Sequence, residues 1–135
     1  MTLVVDASVA VRWLLSLDRS DRAEALLRSG ERLIAPDFIM VEVTNAVWKS
    51  VGFGSTNTDV ARTLVSEAER HFDGLVPAIV LKDRALALAL ELRHPAYDCF
   101  YLALAQQRNA QLVTADDRLL RRCAGTPFAG LVKPL

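Results

Sequence analysis

The sequence predicts an α/β domain: a mainly parallel sheet with helices on both faces. Three observations lead there. Short apolar runs rich in β-branched residues alternate with longer segments of helical periodicity. The connectors between them are short, and strand–helix alternation with short connectors builds parallel sheets. The chain has 135 residues, 52% of them hydrophobic, which suits a single domain spanning 1–135 with a substantial core.

The elements follow in order. Leu3-Val4-Val5 reads as a buried first strand, and Ser8 as the N-cap of a helix starting at Val9. Ala23, Leu26 and Leu27 mark a second helix, closed by Gly30 at C′. Leu33-Ile34-Ala35 is the second strand. Pro36 and Asp37 open a third helix reaching about Val51, with Phe38, Ile39, Val43, Ala46 and Val47 as its core face. Val60 to Phe72 is a fourth helix and Gly74-Leu75-Val76 a third strand. Arg84 to Arg93 forms a helix with a dense Ala/Leu face, which His94-Pro95 breaks. Tyr97 to Arg108 is the next helix, Gln111 to Thr114 the fourth strand, and Asp117 to Cys123 a short helix. Phe128 to Val132 reads as an edge strand.

Composition excludes several classes. Net charge is zero, which argues against a protein that coats nucleic acid non-specifically. Thirteen of the 16 basic residues are Arg, the remainder being Lys49, Lys82 and Lys133. That bias fits an RNA-facing rim or an acidic partner, and a high-GC genome is the simpler account. Cys99 and Cys123 form no CxxC pair and read as buried reduced thiols. No run approaches ~18 apolar residues, so no membrane span is expected. The N-terminus lacks a basic region and carries Asp6 within its apolar run, unlike a signal peptide, so the expected location is cytoplasmic.

Four acids stand in informative places. Asp6 follows the first strand, at the carboxyl end of the sheet where ligands bind in open α/β folds; it also suits a helix cap. Glu42 shares a helix side with Phe38, Ile39 and Ala46, where an acid is costly unless paired or bound to a cation, and Asn45 at +3 is placed to orient it. A Glu whose stem is buried and whose head reaches water fits as well. Asp98 sits in a first helical turn, where negative charge is favourable, yet on the apolar side with Leu102 and Ala105. Asp116 mirrors Asp6 past the fourth strand. Asp117 beside it serves as an alternative, and one of the two suits a turn or cap. No Lys or Arg lies within two positions of Asp6, Glu42 or Asp98. Converging carboxylates need a cation or a proton between them. An all-oxygen set suits Mg²⁺ or Mn²⁺ rather than Zn²⁺, and His71 and His94 are isolated, without metal-ligand spacing. A carboxylate-held Mg²⁺ fits phosphodiester hydrolysis.

With these residues in place, the chain resembles the PIN-domain ribonucleases, and among them the VapC-like toxins of VapBC toxin–antitoxin modules. The matching stretches are Val5-Asp6-Ala7-Ser8, Ala35-Pro36-Asp37 with Glu42 and Asn45, Tyr97-Asp98 through Ala105, and Leu112 through Asp116. They run over nearly the whole chain, and their order and spacing together are specific. The resemblance implies a PIN-like three-layer α/β/α fold with a five-stranded parallel sheet of order 3-2-1-4-5. It implies a Mg²⁺-dependent ribonuclease site made by Asp6, Glu42, Asp98 and Asp116, with Asp6, Asp98 and Asp116 as metal ligands. Ser8, Asn45 and Thr114 would support them. It further implies an RNA substrate, cleavage that leaves a 5′-phosphate and a 3′-hydroxyl, a VapB-like antitoxin, and a homodimer. Trp13, Phe53 and the Ala85 to Leu90 stripe would supply the apolar surface for that dimer.

Other readings fit less well. A phosphorelay receiver domain has paired acids after its first strand, where Val5 precedes Asp6, and a phosphoacceptor Asp where Pro77-Ala78 stands, although Lys133-Pro134 resembles its Lys-Pro turn. A haloacid-dehalogenase-like phosphatase needs an acid at Ser8. A dinucleotide-binding fold needs glycines in the first strand–helix turn. A non-catalytic PIN scaffold would have lost one of the acids, and none is lost.

Overall fold

The computed structural model describes residues 1–135. β1 (Thr2–Val5), β2 (Arg32–Pro36), β3 (Gly74–Val76), β4 (Gln111–Thr114) and β5 (Val132–Pro134) form one parallel sheet of order β3-β2-β1-β4-β5. The chain starts in the middle, builds outward through β2 and β3, and returns to the other side of β1 with β4 and β5. The order therefore reverses between β1 and β4, and the crevice at the carboxyl end of these two strands is where a parallel sheet opens to a ligand.

Strand periodicity sorts the core into two layers. Val4 lies beside Ile34 and Leu112 on one face, while Leu3, Val5, Leu33 and Val113 point to the other. Both faces are covered, which explains why these strands read as continuous apolar runs rather than alternating ones. On the Val4 face lie α3 (Ile39–Gly52), α4 (Thr58–Arg70), α5 (Lys82–Leu92) and α6 (Ala96–Gln107), joined through Val43, Val47, Ala68, Leu88, Leu102 and Leu104. On the other face α1 (Ala7–Leu14) and α2 (Ser20–Leu27) contribute Val9 and Ala23. α7 (Asp117–Cys123) buries Leu119 and Cys123 into the larger layer. Cys99 and Cys123 are both buried and free, as expected. No helix is long and apolar enough to cross a membrane.

Several expectations need correction. The first helix begins at Ala7 with Asp6 as its cap, not at Val9 with Ser8: the Asp6 carboxylate accepts from the Val9 N–H at 3.3 Å. The second helix ends at Leu27, so Gly30 (φ +79°) lies beyond C′ and turns the chain into β2 instead. The edge strand is Val132–Pro134, not Phe128 to Val132. Phe128 buries its ring, its N–H donates to the Thr126 hydroxyl, and a 3₁₀ turn over Ala129–Leu131 precedes the strand. Lys133-Pro134 is thus strand rather than turn, and Pro134, lacking an N–H, is tolerated because β5 is an edge. Trp13 is half-buried between helices. Its indole N–H donates to the Ala23 carbonyl at 3.0 Å and its ring packs on His71 and Phe72, so much of the apolar surface expected to serve a dimer is used within the fold.

Candidate active site

The site begins where β1 delivers Asp6 to the start of α1. Asp6 is only 4% exposed. One carboxylate oxygen, Oδ1, accepts from the Ser8 hydroxyl at 2.5 Å, and the other, Oδ2, from the Thr114 hydroxyl at 2.5 Å. Each hydroxyl is oriented from behind. The Ala115 N–H donates to Ser8 Oγ at 2.9 Å, and the Asp116 N–H donates to Thr114 Oγ1 at 3.0 Å. Two relays, each backbone N–H to hydroxyl to carboxylate, thus clamp Asp6 between β1 and β4. A hydroxyl has one proton to give, so the backbone donors fix both protons toward Asp6. The supporting roles expected of Ser8 and Thr114 have this geometry.

Burial raises the Asp6 pKa from 3.8 to about 6. The two hydroxyls and the Val9 N–H pull it down, while the negative charge of Asp98 adds to the rise. Glu42, half-buried on α3, is also raised, by burial first and by Asp98. Its Oε1 accepts from the Tyr101 hydroxyl at 2.9 Å. Asn45, expected to orient Glu42, is exposed and does not hold it; it lines a shallow cleft with Ser8, Glu42 and Lys49. Tyr101 is 1% exposed and stands against the Phe38 ring. Burial and the charges of Glu42, Asp6 and Asp98 keep its phenol protonated, far above the usual tyrosine range. It is therefore a fixed donor among three acids.

Asp98 projects from the first turn of α6. Its Oδ2 is 2.5 Å from His94 Nε2, and the His94 side chain is nearly buried. His94 is thus not isolated. It lies four residues before Asp98, across the Pro95 break, and α6 starting at Ala96 brings the two side chains together. Tyr101 and His94 are the site residues that sequence reasoning left without a role. The available signals were spacing relative to Asp98, one turn forward and one turn back.

Asp116 differs from these. It caps α7, its carboxylate accepting from the Arg118 and Leu119 N–H groups at 2.9 and 3.4 Å. It joins Asp6 only through the Thr114 relay. Asp117 is exposed in the first turn of α7. So the charge of Asp98 bears on both Asp6 and Glu42, while Asp116 stands at the rim. No three Asp, Glu, His or Cys side chains stand close enough around one point to hold a metal by themselves.

The donor chemistry nevertheless suits a hard cation. Asp6 is a nearly buried carboxylate with no basic partner, and its Oδ2, which accepts only from Thr114, keeps acceptor capacity. Mg²⁺ is commonly held by one or two carboxylates with its remaining positions filled by water. The nearby thiols offer no softer alternative: burial, with Asp98 adding, pushes Cys99 up to about 12, and Cys123 is raised for the same reasons.

A buried acid at the β1–β4 switch point, on a five-stranded parallel sheet of this order, is a recognisable combination. The family model described as PIN domain matches residues 3–125. The chain is a PIN domain. It is 35% identical to Ribonuclease VapC3 of Pyrobaculum aerophilum, over 99% of this chain and all of that protein. Two solved structures share the fold. One is VapBC2 from Rickettsia felis bound to a DNA fragment from their promoter, with a TM-score of 0.70 and 13% identity over 100% of this chain and 99% of that one. The other is a toxin–antitoxin complex from Klebsiella pneumoniae, with a TM-score of 0.67 and 18% identity over 97% and 95%. The PIN-domain fold therefore agrees with the resemblance carried by the four acidic stretches.

Proposed function

We propose that this PIN domain is a Mg²⁺-dependent endoribonuclease, the VapC-type toxin of a toxin–antitoxin module, hydrolysing RNA phosphodiester bonds. The observation that carries the reading is Asp6: a carboxylate buried at the sheet's switch point, clamped on both oxygens, with the charge of Asp98 bearing on both it and Glu42. The likeness to Ribonuclease VapC3 over the full chain supports the same class.

Asp6 and Asp98 would hold the cation, with Asp116 joining directly or through water. The cation supplies Lewis acidity at a phosphoryl oxygen and a more acidic water. The chain's residues do the rest. Ser8 and Thr114 keep Asp6 from rotating. Glu42, its pKa raised toward the range useful for a base, takes the proton of the attacking water, and the Tyr101 hydroxyl holds it in place. His94 fixes the Asp98 oxygen that faces it, leaving the other free. In-line attack of this kind leaves a 5′-phosphate and a 3′-hydroxyl.

A VapB-like antitoxin fits the apolar cleft between α3 and α4, lined by Val47, Trp48, Val51, Ala61 and Val65. Trp48 is 69% exposed there, and an amphipathic helix from a partner buries such a face. A homodimer fits a second patch, where Ile79, Val80, Leu86 and Leu90 are exposed. The test is co-expression with the neighbouring reading frame and purification through a tag on this chain. A small co-purifying protein that relieves growth arrest is expected. If none co-purifies and toxicity persists, a housekeeping PIN nuclease replaces the toxin reading.

A further inference from the structure

A cavity of about 340 Å³ lies between the α5–α6 turn and α7, lined by Arg93, His94, Pro95, Arg118, Arg121 and Arg122 and by no hydrophobic residue. It gathers four of the chain's 16 Lys and Arg on a molecule with no net charge. Outside it, Arg12 and Arg19 pair with Asp18, Arg28 with Glu24, and Arg84 donates to Gln106, whereas Arg32, Arg62, Arg70 and Arg108 stand singly and are not gathered around one cavity. The four around the cavity make no ion pair and no side-chain hydrogen bond within the chain.

Local stability does not account for the cluster. The α7 dipole favours Arg121 and Arg122 in the last turn but opposes Arg118 in the first. Arg118 and Arg122 are like charges four residues apart, a mildly destabilising pair. Arg93 ends α5 in the left-handed region (φ 52°, ψ 50°), where glycine is the favoured residue. Two locally unfavourable choices, Arg93 and Arg118, converge with Arg121 and Arg122 on one cavity, which indicates a ligand that the charges serve.

His94 says where that ligand runs. His94 lines the cavity and its Nε2 meets Asp98, so one residue borders both the arginine cavity and the acidic site. The acids by themselves repel a polyanion, and a neutral molecule offers no overall attraction. Capture must come from a basic surface next to them. We propose that this cavity binds phosphates of single-stranded RNA flanking the scissile one, with Arg93, Arg118, Arg121 and Arg122 as the contacts that position the strand. This rests on the ribonuclease reading above. An acidic peptide is the poorer occupant, because a folding-on-contact segment buries hydrophobic side chains and no hydrophobic residue lines the cavity.

The experiment is fluorescence anisotropy of a labelled single-stranded RNA in EDTA, across a salt series. It compares wild type, the Arg118→Gln/Arg121→Gln/Arg122→Gln variant and the corresponding triple Lys variant, alongside cleavage kinetics in Mg²⁺. Losing three phosphate contacts should weaken binding roughly tenfold and lower the log Kd–log salt slope by about 2. KM should carry most of the loss in kcat/KM, and the Lys variant should recover most of the slope. RNA affinity and slope within about twofold of wild type in the Gln variant overturn the cavity assignment; if that variant also cleaves normally, the ribonuclease reading survives. Poly-glutamate binding as tightly as RNA, with the same loss on substitution, overturns it in favour of a protein partner. A wild type that neither binds nor cuts RNA overturns both.

Discussion

The ends of β1 and β4 lie side by side and are written alike: a short apolar strand, an acid just past it, a helix cap. Their outcomes differ. Asp6 caps α1 with one oxygen and is closed in by Ser8, Thr114 and the α6 side of the core, so burial lifts its pKa to about 6. Asp116 caps the seven-residue α7 at the rim, and its backbone N–H rather than its carboxylate ties it to the buried network. An acid past a parallel strand is therefore not a functional acid by position alone. What distinguishes Asp6 is that its strand is the middle one of the five and that the neighbouring strand ends in a hydroxyl aimed at it.

The largest expected effect is at Asp6. Asp6→Asn keeps the size and the cap, removes the charge, and should lower RNA cleavage by roughly 10³-fold, the several kcal/mol a catalytic cation contributes. Activity within tenfold of wild type would erase the distinction between the two strand ends. At Asp116, Asn is as good a cap as Asp, so Asp116→Asn should leave the melting temperature alone and lower cleavage by roughly 10–100-fold. Asp117→Asn should stay within about twofold of wild type. The reverse order would make Asp117 the fourth acid.

The burial of Asp6 predicts a pH effect. The folded pKa of Asp6 lies above its unfolded value of 3.8, so the protonated form is favoured on folding. The stability it contributes is fully present below about pH 4 and is lost as pH rises through about 6. Cation-free protein should thus lose roughly 1–2 kcal/mol between pH 5 and pH 7.5, measured by urea unfolding in EDTA. Asp6→Asn should abolish that slope, and Mg²⁺ should restore stability at pH 7.5, rising with the logarithm of its concentration above its Kd. Thr114→Val removes one clamp. It should cost about 1–3 kcal/mol, because the Asp116 N–H also loses its acceptor, with about a tenfold fall in activity.

Much of this was legible in the sequence. β3, β4 and α7 fall where periodicity and flanking residues put them, and Leu3 to Val5 forms the heart of β1, because continuous apolar runs bounded by turn residues admit few alternatives. Glu42 and Asp98 stood out as acids on apolar faces, and the charge of Asp98 bears on both Asp6 and Glu42. The misses have physical causes. β5 slipped because the buried Phe128 looked like strand but anchors a 3₁₀ turn. Tyr101 as the partner of Glu42 joins residues 59 apart in sequence, which only the packing of α6 on the sheet brings together. His94 was hidden because the Pro95 break conceals the one-turn spacing to Asp98. Trp13 read as surface for want of its hydrogen-bond partner, the Ala23 carbonyl.

The most direct measurement of the central claim is cleavage of a single-stranded RNA by purified wild type and Asp98→Asn across a Mg²⁺ titration, with an excess-EDTA control. The predicted result is cleavage by wild type that disappears in EDTA, returns with Mg²⁺ or Mn²⁺, and is absent in folded Asp98→Asn at every Mg²⁺ concentration. Undiminished cleavage in EDTA, or wild-type rates from Asp98→Asn, would contradict a cation held by Asp6 and Asp98.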